Sequence, residues 1–385
     1  MASSLSRHCW SACRQAVALI CLSLCVLASG TVCGGGLYAR ESGGAAGETT
    51  VKTFGFKTDS REFGYEGALI PYKIAIWYPS PDRASSDYYQ IGPSRISTDA
   101  AFDGAVAKGK FPVVFYAHGA TGAGTSSFFL CETLARAGYI VVAPDFLDTL
   151  AVARIQERVE YDSLTRMRFY QYIYWLRNYG LDKAASLGRV QFTYRLDQLK
   201  RTIDYMLSLN DKKESVFYQH LDTDRIGLVG HSFGAWTSLL LAGASLQFHD
   251  ERIKAVAALS GPVNDNVYAV VSDNDLARVH TPVLFEYGEK EKDFGRADDK
   301  TLLYDKANSP KILIRIVNAD HFAFSGGVKG EFPNAESYIE QDSARRTIST
   351  TTRDFFDLFL KKDETARKRL KQPGDGASLI DASIE

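Results

Sequence analysis

Residues 230–234 read Gly-His-Ser-Phe-Gly and interrupt an otherwise apolar run, 226-IGLVGHSFGAWTSLLLAG-243. The run before the break predicts a buried strand over 225–230, and the run after it predicts a helix over 235–243. Between a strand and a helix, G-x-S-x-G is the sequence of a strained turn that lifts one hydroxyl clear of the backbone. A Cβ at Gly230 or Gly234 would collide with neighbouring backbone in so tight a turn. The chemistry this arrangement serves is nucleophilic attack by Ser232 Oγ. The N-terminus of the following helix favours a developing oxyanion.

A serine hydroxyl is a weak nucleophile, so it needs a base within reach and a third group to orient that base. When an elbow of this kind comes first, the partners follow in the order acid, then histidine. The downstream histidines are His249, His280 and His321. His321, in 318-NADHFAFSG-326, follows the last expected strand and is the candidate base. His249 sits in the charged loop 249-HDER-252 and His280 directly precedes a strand, so both read as solvated. The strand 283-VLFEYG-288 runs into 288-GEKEKDFG-295, where Glu289, Glu291 and Asp293 compete for the acid role. The Gly-x-x-acid spacing favours Glu291. Asp293 would need a slightly longer loop, and Asp265, in 260-SGPVNDN-266, follows the preceding strand. An oxyanion hole needs two backbone N–H groups: Phe233, after the nucleophile, and Ala120, in the loop 118-HGATGAG-124. No Lys-Ser/Thr follows that loop and it is not a G-x-G-x-x-G, which argues against phosphate or dinucleotide binding.

These residues require a scaffold that brings several strand ends together. Two leading strands are expected over 51–58 and 67–80. Short, almost wholly apolar runs then alternate with helical segments: strands at 111–119, 139–145, 225–230, 254–261, 281–288 and 311–319, and helices at 126–138, 194–210, 235–243, near 298–307 and over 342–361. Continuous apolar strands separated by helices signal a mostly parallel central sheet covered by helices on both faces. The alternation pauses at 146–192, which contains 166-RMRFYQYIYWLRNYG-180 and reads as a helical cap insertion. Its aromatics and arginines could line an acyl or anionic pocket, or form a helical pair with solvated arginines. The domain is expected over 51–361, with a polar and loose tail at 362–385.

With these landmarks placed, the chain resembles the α/β-hydrolase superfamily. Within it, the chain looks like the group of dienelactone-hydrolase-like proteins, platelet-activating-factor acetylhydrolases and cutinase-like esterases. The resemblance rests on 76-IWYPS-80, 111-FPVVFYAHGATG-122, 138-GYIVVAPD-145, 230-GHSFG-234, 282-PVLFEYGEKE-291 and 320-DHFAF-324. It implies an α/β-hydrolase fold with Ser232 as nucleophile, His321 as base, Ala120 and Phe233 as oxyanion donors, and Glu291 as acid. There are two departures. Dienelactone hydrolases use a cysteine where this chain has Ser232. Animal acetylhydrolases of the group carry the acid after the preceding strand, where this chain reads 258-ALSG-261. The implied activity is a serine hydrolase cleaving small-molecule or lipid carboxylic esters without metal or organic cofactor. A lipase or phospholipid acyl-hydrolase is the enzymatic alternative. A ligand-binding protein on a disabled hydrolase fold is the non-enzymatic one.

Composition sets the outer limits. The chain has 385 residues, 45% apolar and 24% charged, with a net charge of −1, enough for a large core and unsuited to nucleic-acid binding. Arg7 and Arg14 precede the apolar stretch 16-AVALICLSLCVLA-28 and the small residues Ser29 and Gly30, the pattern of a signal peptide over 1–30. That stretch is short for a membrane span, so a secreted or periplasmic protein with no stable span after cleavage is expected. Residues 31–50 read as a disordered spacer. Cys33 lacks the small preceding residue of a lipidation site. Five of the six cysteines lie between Cys9 and Cys33, so no disulfide framework is expected in the domain, and Cys131 reads as a small buried apolar residue.

Overall fold

Two long strands, β1 (Phe54–Tyr65) and β2 (Ala68–Pro79), open the fold as an antiparallel pair running from Phe54 opposite Pro79 to Tyr65 opposite Ala68. The connection to the next long strand holds a small hairpin, β3 (Tyr88–Ile91) with β4 (Ser94–Ser97), and the two-residue β5 (Ala101–Phe102) beside β1. Then comes the alternating part: β6 (Phe111–Ala117), α1 (Phe128–Arg136), β7 (Ile140–Pro144), α2 (Tyr194–Ser208), β8 (Leu221–His231), α3 (Phe233–Leu239) and β9 (Ile253–Leu259). It continues through β10 (Val283–Gly288), α4 (Thr301–Lys306), β11 (Lys311–Ile316) and α5 (Asp342–Leu360). The chain closes with α6 (Glu364–Lys371) and β12 (Ala377–Ser383). This computed structural model describes residues 53–383 apart from 66, 85–87, 92–93, 121, 150–192, 262–274, 292–300, 309 and 327–340. The expected signal peptide and spacer, almost all of the 146–192 insertion, Asp265 and Asp293 therefore lie outside the described residues.

The main sheet runs β12-β11-β10-β9-β8-β6-β7-β2-β1-β5. Strands β6 to β11 are parallel to their neighbours among themselves, while β2 joins β7, and β12 joins β11, antiparallel. The strand order reverses at β6, with β7 on one side and β8 on the other. Ligand crevices of open α/β sheets form at such a reversal, outside the carboxyl ends of the strands. Here the reversal lies where Ala117 pairs with Gly230.

Why the central strands read as unbroken apolar runs is visible in their packing. On β6, Val113, Phe115 and Ala117 join one core with Leu199 and Ile203 of α2 and Trp236 of α3. The alternate residues Val114 and Tyr116 join a second core with Leu130 and Leu134 of α1 and Phe355 and Phe356 of α5. A strand with helices on both faces has no side left for water. Cys131 is fully buried in the second core, as its isolation in the sequence implied, and burial pushes its thiol pKa up. Gly138 closes α1 at φ 88, the left-handed position a glycine takes at little cost.

The C-terminal stretch corrects the sequence reading. Residues 362–385 were expected to be loose, yet they hold α6 and the edge strand β12, which pairs from Ala377 opposite Ile316 to Ser383 opposite Lys311. Only Ala366 and Leu370 of α6 are buried, one helical turn apart. The rest is held by charge: Arg369 Nε donates to Asp354 Oδ1 of α5 at 2.9 Å, and the Asp363 side chain caps α6 by accepting from Thr365 N at 2.9 Å. A polar segment fixed by contacts so far apart in sequence carries no periodic signal of its own.

One buried carboxyl makes stability depend on pH. Glu286 points from β10 toward α5, is 2% exposed, and accepts a hydrogen bond from Thr351. Burial raises its pKa to about 8. The folded state therefore holds a proton that the unfolded chain releases near the ordinary carboxyl value. The resulting stability is full below that value and is lost as pH rises toward about 8. Glu286→Gln, which keeps the neutral shape, is expected to flatten the fall of Tm between about pH 5 and 8 in a thermal-melt series. Parallel wild-type and variant curves would refute this.

Candidate active site

Four successive strand ends supply the site. β8 ends at His231, and Ser232 follows with φ 54 and ψ −118, a conformation that non-glycine residues avoid. A Cβ on Gly230 would land on the Gly234 carbonyl, and one on Gly234 would land on the carbonyl of Ala117. Both glycines are thus required for β8, α3 and β6 to pack this closely. Ser232 N donates to Leu259 O at 2.9 Å, which ties the elbow to the end of β9, and Ser232 O accepts from Ala235 N at 3.0 Å as α3 begins. The turn holds Ser232 at 7% exposure, in the reversal crevice.

His321 opens a short 3-10 turn, His321–Phe324, just past β11. Asp320 caps that turn by accepting from Phe322 N at 2.8 Å and Ala323 N at 3.1 Å, and is itself held by Gln341 Nε2 at 2.8 Å. His231, the variable residue of G-x-S-x-G, donates from Nε2 to the His321 carbonyl at 3.0 Å. A carbonyl can only accept, so that bond also fixes the proton on His231 Nε2. The residue beside Ser232 thereby holds the backbone of His321.

His321 Nδ1 faces two groups: Ser260 Oγ at 2.6 Å and Glu291 Oε2 at 3.9 Å. Ser260 directly follows β9, with φ 46, and its N–H donates to Glu286 O at 2.7 Å. Glu291 is 4% exposed, and a tight turn after β10 holds it, Oε1 accepting from Gly288 N at 2.6 Å. Of the competing acids, Glu289 is exposed and turns the other way, its Oε2 accepting from Asn318 N at 3.0 Å. Asp293 and Asp265 lie outside the described residues. The structure thus brings Glu291 to His321 and puts Ser260 at the position after β9 that the resemblance had marked. Sequence reasoning found that position but gave its hydroxyl no role.

The loop after β6 lies against the elbow: a Cβ on Gly119 would stand 3.3 Å from Ser232 Cβ, so only glycine lets that backbone approach freely. Three donors meet the Gly119 carbonyl: His118 Nδ1 at 2.6 Å, Gly122 N at 3.1 Å and Arg195 Nη2 at 3.2 Å. His118 Nε2 accepts from Phe146 N at 3.0 Å, which leaves the ring proton on Nδ1. Sequence reasoning missed Arg195 altogether. It is fully buried, paired with Asp148 across Nη2–Oδ2 at 2.5 Å and Nε–Oδ1 at 3.0 Å. A charge at that depth is tolerated because its donors find acceptors. No local pattern marks a residue whose partners sit 47 and 76 positions away.

Comparison with known proteins adds to this geometry. Residues 90–316 match a family model described as "Platelet-activating factor acetylhydrolase, isoform II". A platelet-activating factor acetylhydrolase of Gallus gallus is 24% identical over 281 residues, covering 66% of this chain. The chain spans 64% of that relative's length, just under two thirds. Among solved structures, a ferulic acid esterase from Streptomyces cinnamoneus superposes with a TM-score of 0.59 at 18% identity, covering 87% of this chain and 98% of its own. That likeness establishes the α/β-hydrolase fold which the sequence landmarks implied.

Proposed function

Because the chain belongs to the platelet-activating factor acetylhydrolase isoform II family, we propose that it is an exported serine esterase that cleaves small-molecule or lipid carboxylic esters. Ser232 Oγ attacks the acyl carbon while His321 Nε2 takes its proton. The N–H groups of Ala120 and Phe233 hold the tetrahedral oxyanion. His321 then returns the proton to the departing alcohol as the ester C–O bond breaks, leaving an acyl-enzyme on Ser232. Water, deprotonated by His321, releases the acid and restores the serine. Glu291 stabilises the imidazolium formed at each step. The single observation that carries this reading is the strained Ser232 turn, tied through His231 to a histidine whose Nδ1 lies 2.6 Å from Ser260 Oγ and 3.9 Å from the Glu291 carboxylate.

The choice between the small-ester and lipid readings rests on chain length. Hydrolysis of p-nitrophenyl esters from acetate to dodecanoate by the exported protein is expected to exceed the background rate throughout the short-chain range. A maximum at the longest chains would move the assignment to a lipid acyl-hydrolase. No turnover of any ester would overturn the esterase reading in favour of a binding protein on this fold.

A further inference from the structure

We propose that Arg195, which lies outside the reacting groups, is the positioning residue of the oxyanion hole. The Gly119 carbonyl and the Ala120 N–H belong to one peptide unit, and in a trans peptide the two point in opposite directions. Whatever fixes the carbonyl therefore fixes the N–H. Arg195 Nη2 reaches the Gly119 carbonyl at 3.2 Å, and Nη1 reaches the His118 carbonyl at 2.8 Å, so that one guanidinium holds two consecutive carbonyls. The face of the same guanidinium lies 4.4 Å from the ring centroid of Phe233, the residue that carries the second N–H. One buried side chain thus bridges both halves of the hole.

Its own orientation is set from the far side. Asp148 grips Arg195 through Nε and Nη2, and Asp148 Oδ1 also accepts from Tyr194 at 3.0 Å. Phe146 covers the other approach, with its ring centroid 4.5 Å from the guanidinium carbon. The flat five-donor fork of arginine serves a carboxylate and two carbonyls together, which a lysine ammonium on a flexible stem does not. Asp148 and Arg195, 47 positions apart in sequence, are thus joined in one cluster with the Gly119 carbonyl.

The inference rests on the esterase reading, and its test separates the two. The test uses the full chain carrying Arg195→Lys, which preserves charge opposite Asp148, with an oxoester and the matching thionoester as substrates. A thionoester places sulfur where the oxyanion would form, so its turnover draws little on the N–H donors. Arg195→Lys is expected to lower kcat for the oxoester about 100-fold, with KM changed less than about 3-fold, because a donor misplaced by about 1 Å costs that much. The thionoester rate should fall far less, so the oxo-to-thiono ratio collapses. Should the variant not melt cooperatively, the same ratio is read on Asp148→Asn with Arg195→Gln, which removes both buried charges together. An unchanged kcat, or equal losses on the two substrates, would overturn the inference. A wild-type protein that hydrolyses neither ester would instead defeat the esterase reading on which it depends.

Discussion

Ser232→Ala is expected to lower kcat for ester hydrolysis by about a million-fold, while the fold and the Tm remain close to those of the wild type. The expectation follows from the division of labour at the elbow. In the proposed mechanism the turn presents one hydroxyl, and its strain comes from the φ of 54 and the two glycine contacts rather than from Oγ. Removing the oxygen therefore removes covalent catalysis while the packing of β8 against α3 survives. Oxyanion donors and substrate binding would still operate on attack by water, and a residual acceleration on the order of 10³ over the uncatalysed rate is expected. The measurement is steady-state hydrolysis of a short p-nitrophenyl ester beside a thermal melt. A loss of less than about tenfold would remove Ser232 from the chemistry.

The second large effect concerns the acid. Glu291→Gln is expected to lower kcat by about 10⁴-fold, as loss of the orienting carboxylate does in comparable triads. Ser260 Oγ is closer to His321 Nδ1 than Glu291 is, 2.6 Å against 3.9 Å, so distance alone would rank the serine first. Charge decides otherwise. A hydroxyl accepts the Nδ1–H bond and fixes the ring, but only a carboxylate stabilises the imidazolium that forms when Ser232 gives up its proton. Ser260→Ala should therefore cost far less than Glu291→Gln. The geometry also predicts a rescue: Ser260→Asp in the Glu291→Gln background puts a carboxylate at the position contacting Nδ1 and should restore much of the lost kcat. Restoration would show that His321 accepts its acid from either of two adjacent strand ends. Full activity of Glu291→Gln alone would transfer the acid role elsewhere, with Asp293 next to be replaced.

What the sequence displayed, and what it concealed, divides along the range of the interactions. The elbow was legible because its cause is local: glycine, serine and glycine at fixed spacing between an apolar strand and an apolar helix. The succession of the central strands along the chain and their parallel type were legible because burial on both faces leaves continuous apolar runs. The polar elements were not. The hairpin β3–β4, the short β5, and the C-terminal α6 and β12 are anchored by edge pairing and by ion pairs such as Arg369 with Asp354, which leave no periodicity. In the site, His321 and Glu291 could be found from their places after predicted strands. Ser260, His231, His118 and Arg195 could not be assigned roles, because each is bonded to residues distant in sequence. His231 to the His321 carbonyl is a bond across 90 positions that no motif encodes.

The central claim is that Ser232 becomes acylated, and the most direct test is to look for the acyl group. The full chain would be mixed with p-nitrophenyl acetate, quenched in acid during the first turnovers, digested, and its peptides analysed by mass spectrometry. The mechanism predicts a single acetyl group on the peptide containing Gly230 to Gly234, localised to Ser232, and absent from Ser232→Ala. Ester turnover with the acetyl group on another residue, or turnover by Ser232→Ala at the wild-type rate, would contradict it.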